Sequence, residues 1–180
     1  MRYVAEYFKE TKIALVIAGK FEDRNKEYLE MLIRTKKDIE KRYQNIKVFI
    51  MKNISEDLKM ALYGAADIFV MSSPTEPFGI TILESLATGT PVIVTDAVGP
   101  REIFGIKDKI ERAYTRINGG IMVNFLGSER RLENLGEAII YALAELKKLK
   151  EEANAMKSEI RKKYSWKAIA ERFLQIYLDD

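Results

Sequence analysis

Two carboxylates, Glu76 and Glu84, stand with seven residues between them in SSPTEPFGITILES, residues 72–85. Pro77 and Gly79 lie inside that spacer. Pro77 stiffens the backbone, and Gly79 lets a ligand come close to it. A helix starting at Gly79 puts Thr81, Glu84 and Thr88 on one face, because residues three and four apart are neighbours on a helix. Ile82, Leu83, Leu86 and Ala87 make its apolar stripe. Glu84 could then accept hydrogen bonds from two neighbouring hydroxyls, as a ribose offers. The amides of Gly79, Ile80 and Thr81 would open the helix, and a helix N-terminus favours phosphate or electron-rich oxygens. The plainer reading makes both glutamates helix-end and surface carboxylates, and Ser72 and Ser73 ordinary loop residues.

Composition narrows the chemistry further. The chain has no Cys and no His. That excludes a disulfide, a thiol nucleophile, a thiolate metal site, a Ser-His triad, an imidazole base and a His-ligated zinc. Acid–base work falls to Asp, Glu, Lys or Tyr. The net charge of +3, from 30 Lys plus Arg against 27 Asp plus Glu, is too small to mark a nucleic-acid binder. No apolar run reaches the roughly 18 residues a transmembrane helix needs. Charges in MRYVAEYFKE occupy the place of a signal peptide's apolar core, which reads as a cytoplasmic protein. High Lys, Glu and Ile with no Cys fits a protein from a hot environment.

The elements that must hold the two glutamates can be read along the chain. Its 180 residues suggest one domain, 1–180. IALVIAG (13–19) and IKVFIMK (46–52) read as buried strands, with a long charged helix over about 23–43 between them. SEDLKMALYGA (55–65) reads as a helix with Ser55 as N-cap. Strands follow at 67–73, 91–96 and 120–124, with the helix over about 79–88 capped by Gly89 and stopped by Pro91. An irregular stretch precedes the last strand, and a long helix over about 132–150 follows it. The tail, about 165–178, reads as an amphipathic helix whose aromatic residues, Trp166 among them, are expected in the core. Alternating strands and helices predict an α/β protein, a Rossmann-like parallel sheet with helices on both faces. Such sheets bind ligands beyond the carboxyl ends of their strands, where SSPTEPFG sits. RYVAEYFKE reads as a helix feeding the first strand, whereas a full doubly wound unit would begin with a strand, so a first strand is expected to be missing.

The stretch ADIFVMSSPTEPFGITILESLATGTPVIVTDAVGPREIF, residues 66–104, resembles the donor-binding half of retaining group 1 glycosyltransferases. These are glycogen synthase-like enzymes with two Rossmann-like domains, the GT-B fold. Their mark, E-P-F-G-x-x-x-x-E, reads here Glu76 through Glu84. The likeness extends loosely from IALVIAG to YSWKAIAERFLQIY, which looks like the closing helix of these enzymes, about 165–178. The resemblance implies that Glu76 lies by the transferred sugar, a hexose such as glucose or mannose, and is the catalytic residue. It implies that Pro77, Phe78, Gly79, Ile80 and Thr81 bind the donor sugar and diphosphate, that Glu84 holds the ribose, and that Met51, Lys52 and Asn53 border the base. The donor would be a UDP-, ADP- or GDP-sugar, with no metal and no other cofactor. The acceptor would be a saccharide, bound by an N-terminal domain in cis or on a partner chain. That domain, and a first strand with the Arg and Lys that clamp the diphosphate, would precede residue 1, so the isolated chain is expected to be inactive.

Two stretches depart from the family pattern. VGPRE places Val98 where the first Gly of Gly-Gly-x-x-Glu is usual, although Glu102 is retained. The segment 105–118 is longer than the family leads one to expect. Other readings stay open: a non-catalytic nucleotide-sugar-binding or regulatory module of the same fold, a sugar-nucleotide epimerase, or a glycoside hydrolase. The epimerase typically leans on His. The retaining hydrolase needs its two carboxyls about 5–5.5 Å apart.

Overall fold

The computed structural model describes residues 1–125 and 128–178, and of residue 23 the backbone only. The chain divides into two compact units, Met1–Ala61 and the remainder from Leu62. The first holds α1 (Arg2–Tyr7), β1 (Ile13–Gly19), α2 (Lys26–Arg42) and β2 (Ile46–Lys52), and α3 (Glu56–Ala65) begins in it. β1 and β2 pair in parallel, with Ile13 opposite Ile46 and Gly19 opposite Lys52. A parallel pair needs a crossover, and α2 supplies it. Ile46 and Val48 are buried with Ile13, Leu15, Ile17 and Ile50 around them, all from one face of the pair. Ala14, Val16, Ala18 and Phe49, on the other face, are exposed. The hydroxyl oxygen of Ser55 accepts from the Leu58 amide at 3.3 Å, as an N-cap of α3 should.

The second unit continues with β3 (Phe69–Met71), α4 (Ile80–Thr88), β4 (Val92–Thr95), α5 (Val98–Ile103), β5 (Tyr114–Ile117) and β6 (Gly120–Val123). It ends with α6 (Arg131–Ala144), α7 (Leu146–Tyr164) and α8 (Trp166–Leu178). Its sheet runs in the order β3-β4-β6-β5. The first three strands are parallel, and β5 is antiparallel to β6. Alternate residues sort to opposite faces. Val92, Val94 and Met122 join Ile82 and Leu86 of α4 and Ala153 and Ile160 of α7. Ile93, Ile121 and Val123 join Ala138 and Ala142 of α6. Helices therefore cover both faces, which is what a parallel sheet requires and what the sequence pattern predicts. Among the described residues no helix is long and apolar enough to cross a membrane.

The structure corrects four expectations. VGPREI, part of the stretch read as irregular, is the helix α5, because Pro100 sits in its first turn, where no amide is needed. YTRI is the strand β5, joined to β6 by the two-residue turn Asn118-Gly119 with Gly119 at φ 71°. That hairpin accounts for part of the long segment 105–118. The long helix of 132–150 breaks at Glu145 (φ −98°, ψ 17°) with neither Gly nor Pro there. Leu149 of α7 shares one face of the sheet with Ala138 and Ala142 of α6, whereas Ala153 and Ile160 of α7 pack on the other, so α7 itself serves both faces. Finally, α8 buries none of its residues, with Trp166 87% exposed, so its aromatic stripe is not core.

Candidate functional site

β3 and β4 are parallel, so their carboxyl ends open on the same side of the sheet. The loop of residues 72–79 leaves β3 there, as the sequence predicts, and α5 follows β4 there. The two connections touch. The Gly99 amide donates to the Glu76 carbonyl at 2.9 Å, and the Thr95 hydroxyl donates to the Ser73 carbonyl at 2.7 Å. Gly99 has no space for a side chain: a Cβ would stand 2.5 Å from the backbone of Phe78. Val98 is exposed instead. The departure at Val98 therefore leaves the contact between the two connections intact, because Gly99 makes the close approach.

Gly79 turns the loop into α4. Its φ of 99° is one that side chains strain to adopt, and a Cβ would meet Ile82 Cδ1 at 2.7 Å. Its carbonyl accepts from the Ile82 amide at 2.9 Å, opening the helix. Pro77, Phe78, Ile80 and Thr81 are exposed beside it. Glu76 is half-buried and folds back on the loop, its Oε1 accepting from the Phe78 amide at 3.4 Å. The Phe78 ring meets Tyr164 edge-on, 6.1 Å between centroids.

Glu84 lies on the second turn of α4, also half-buried, and its Oε2 accepts from the Tyr63 hydroxyl at 3.2 Å. Thr88, expected on the same face, donates its hydroxyl to the Ser85 carbonyl of its own helix at 2.7 Å. Gly89 closes the helix at φ 88°, its amide donating to the Leu86 carbonyl at 3.0 Å. Glu76, Pro77, Phe78, Gly79, Ile80, Thr81 and Glu84 thus form one loop-and-helix piece of the second unit.

Met51, Lys52 and Asn53 belong to the first unit, at the end of β2 and just after it. The Asn53 side chain grips Phe21: Oδ1 accepts from its amide at 2.9 Å, and Nδ2 donates to its carbonyl at 3.3 Å. The Asn53 amide donates to the Gly19 carbonyl at 2.9 Å, so this residue knits together the ends of β1 and β2.

Three residues escaped the sequence reading. Tyr63 carried no local signal, being 21 residues from the carboxylate it contacts. Gly99 could have been found as the glycine retained in VGPRE. Arg101, one turn into α5, has its Nε buried with no hydrogen-bond partner among the described residues. Among those residues no group of three or more His, Cys, Asp or Glu is placed to hold a metal ion.

Comparison with known proteins sets this geometry in a lineage. Residues 3–163 match the family model described as glycosyl transferases group 1. The chain belongs to that family. An uncharacterized glycosyltransferase of Methanocaldococcus jannaschii is 32% identical over 168 residues, 91% of this chain and 36% of that protein. A glycogen synthase of Pseudothermotoga lettingae is 28% identical over 181 residues, 97% of this chain and 33% of that protein. The chain spans about a third of the length of these relatives. Among solved structures, sucrose-phosphate synthase from Thermosynechococcus elongatus shares the fold with a TM-score of 0.70 at 22% identity, over 92% of this chain and 38% of that one. This group 1 glycosyltransferase chain is thus an α/β unit with the fold of one part of the two-domain GT-B enzymes.

Proposed function

We propose that this chain, residues 1–180, is the donor-binding domain of a retaining glycosyltransferase that moves a hexose from a nucleoside-diphosphate sugar to a saccharide or similar acceptor. The observation that carries the reading is the placement of Glu76–Pro77–Phe78–Gly79 and Glu84 on one loop and helix at the carboxyl ends of β3 and β4, in a member of this family. On this reading Glu76 orients the hydroxyls of the transferred sugar. The backbone from Phe78 to Ile80, with Thr81 behind it, meets the sugar and the diphosphate, where the opening amides of α4 favour negative charge. Glu84 accepts hydrogen bonds from the ribose. The leaving diphosphate helps take the acceptor's proton on the face it departs from, a course that suits a chain without His. Neither a metal nor a further cofactor is called on. The acceptor is held by another domain, in the same polypeptide or on a partner chain, and the isolated chain transfers sugar poorly.

Calorimetric titration of the chain with uridine, adenosine and guanosine diphosphates tests this. One of them should bind, and Glu84→Ala should cost on the order of 1.5–3 kcal/mol, the range for hydrogen bonds to a charged group. Glu76→Ala should leave diphosphate binding nearly intact, since its partner is the sugar. Equal affinity of the wild type and Glu84→Ala would remove Glu84 from the ribose.

A further inference from the structure

Resting on the donor-site reading, we propose that Tyr63 is a positioning residue that sets the Glu84 carboxylate for the ribose and so sharpens the preference for ribose hydroxyls. Tyr63 is buried on the last turn of α3. Contacts at its ring, its backbone and its hydroxyl hold it. Its ring meets Phe69 edge-on with centroids 5.1 Å apart. Its carbonyl accepts from the Thr90 hydroxyl at 2.5 Å, just beyond the end of α4. The Thr90 carbonyl in turn accepts from the fully buried Ser85 hydroxyl at 3.1 Å, which ties this anchor to the helix bearing Glu84. The phenol itself donates to Glu84 Oε2 at 3.2 Å.

A glutamate on a helix surface turns about three side-chain bonds, and ordering it on binding costs affinity. A donor fixed at ring, backbone and hydroxyl holds the carboxylate before the ligand arrives. A buried tyrosine hydroxyl commonly finds a partner. Here a partner is the carboxylate proposed to read the ribose, so the contact that engages the phenol also presets the acid.

The experiment measures the affinity of the chain for uridine, adenosine or guanosine diphosphate, whichever binds tightest, and for the 2′,3′-dideoxy form of that nucleotide. The ratio isolates the ribose hydroxyls. Tyr63→Phe keeps the ring packing and removes the donor. It should lower the ratio about three- to tenfold and leave the dideoxy affinity unchanged. The double variant Tyr63→Phe/Glu84→Ala should bind no more weakly than Glu84→Ala, because the tyrosine acts through the glutamate. Additive losses, or an equal loss for both nucleotides, would show a scaffold role and overturn the inference. So would a full ratio in Tyr63→Phe beside a collapsed ratio in Glu84→Ala, which leaves the donor-site reading standing. A wild type that ignores the hydroxyls, or a Glu84→Ala that keeps the ratio, overturns both.

Discussion

β1 and β4 look alike on paper, short apolar runs in a parallel pattern, yet they are buried differently. In β4 every residue is buried, because α4 and the middle of α7 cover one face of the sheet and α6 with Leu149 of α7 the other. In β1 only Ile13, Leu15 and Ile17 face a core, while Val16 is 42% exposed. Side-chain size carries the difference. IALVIAG puts its large residues on the covered face and two alanines with one valine on the open face, whereas VIVT is β-branched throughout. An uninterrupted apolar run therefore announces a parallel strand without saying how many faces are covered, and the alternation of size says more.

That contrast can be broken by substitution. The largest effect is expected for Ile93→Ala in β4, a fully buried side chain whose removal should cost about 2–5 kcal/mol in urea unfolding. Gly120 and Gly19 sharpen the comparison. A Cβ on Gly120 would stand 2.2 Å from the Val92 carbonyl oxygen of the paired strand, whereas one on Gly19 would meet only Phe21 Cε2 at 3.7 Å. Gly120→Ala should destabilise by about 1–3 kcal/mol through overpacking, while Gly19→Ala should be neutral or slightly stabilising. The smallest effect is expected for Val16→Thr on the open face, within about 0.5 kcal/mol. If Val16→Thr matched Ile93→Ala in the same titration, the two strands would have to be equally enclosed, and the contrast would fail.

Much of this architecture was legible beforehand. The strands and the helices of 55–65 and 79–88 are marked by apolar runs, Ser55 and Gly89, and their bounds moved by only a residue or two at most ends. The joining of Glu76 and Glu84 on a loop and helix followed from Pro77 and Gly79. Other features were hidden because their causes are not local. α5 contains Gly99 and Pro100, a pair that reads as a turn, and it is helical because both fall in its first turn. The break at Glu145 carries no mark in the sequence, since neither Gly nor Pro stands there. Tyr63 meets Glu84 only once α3 and α4 have been brought together. The β5–β6 hairpin was the exception: Asn118-Gly119 between YTRI and GIMV is a local signal that was there to be used.

That hairpin also bears on the order of events in time. Ile117 faces Gly120 across a two-residue turn, while Val92 finds Gly120, and Phe69 finds Val92, only after a much longer length of chain has closed. Closing a long loop costs chain entropy before any contact rewards it, whereas a hairpin zips in roughly 1–10 μs. β5 and β6 should therefore pair first as the sheet assembles and wait as a template for β4. On this account the one antiparallel edge of the sheet is where its folding begins.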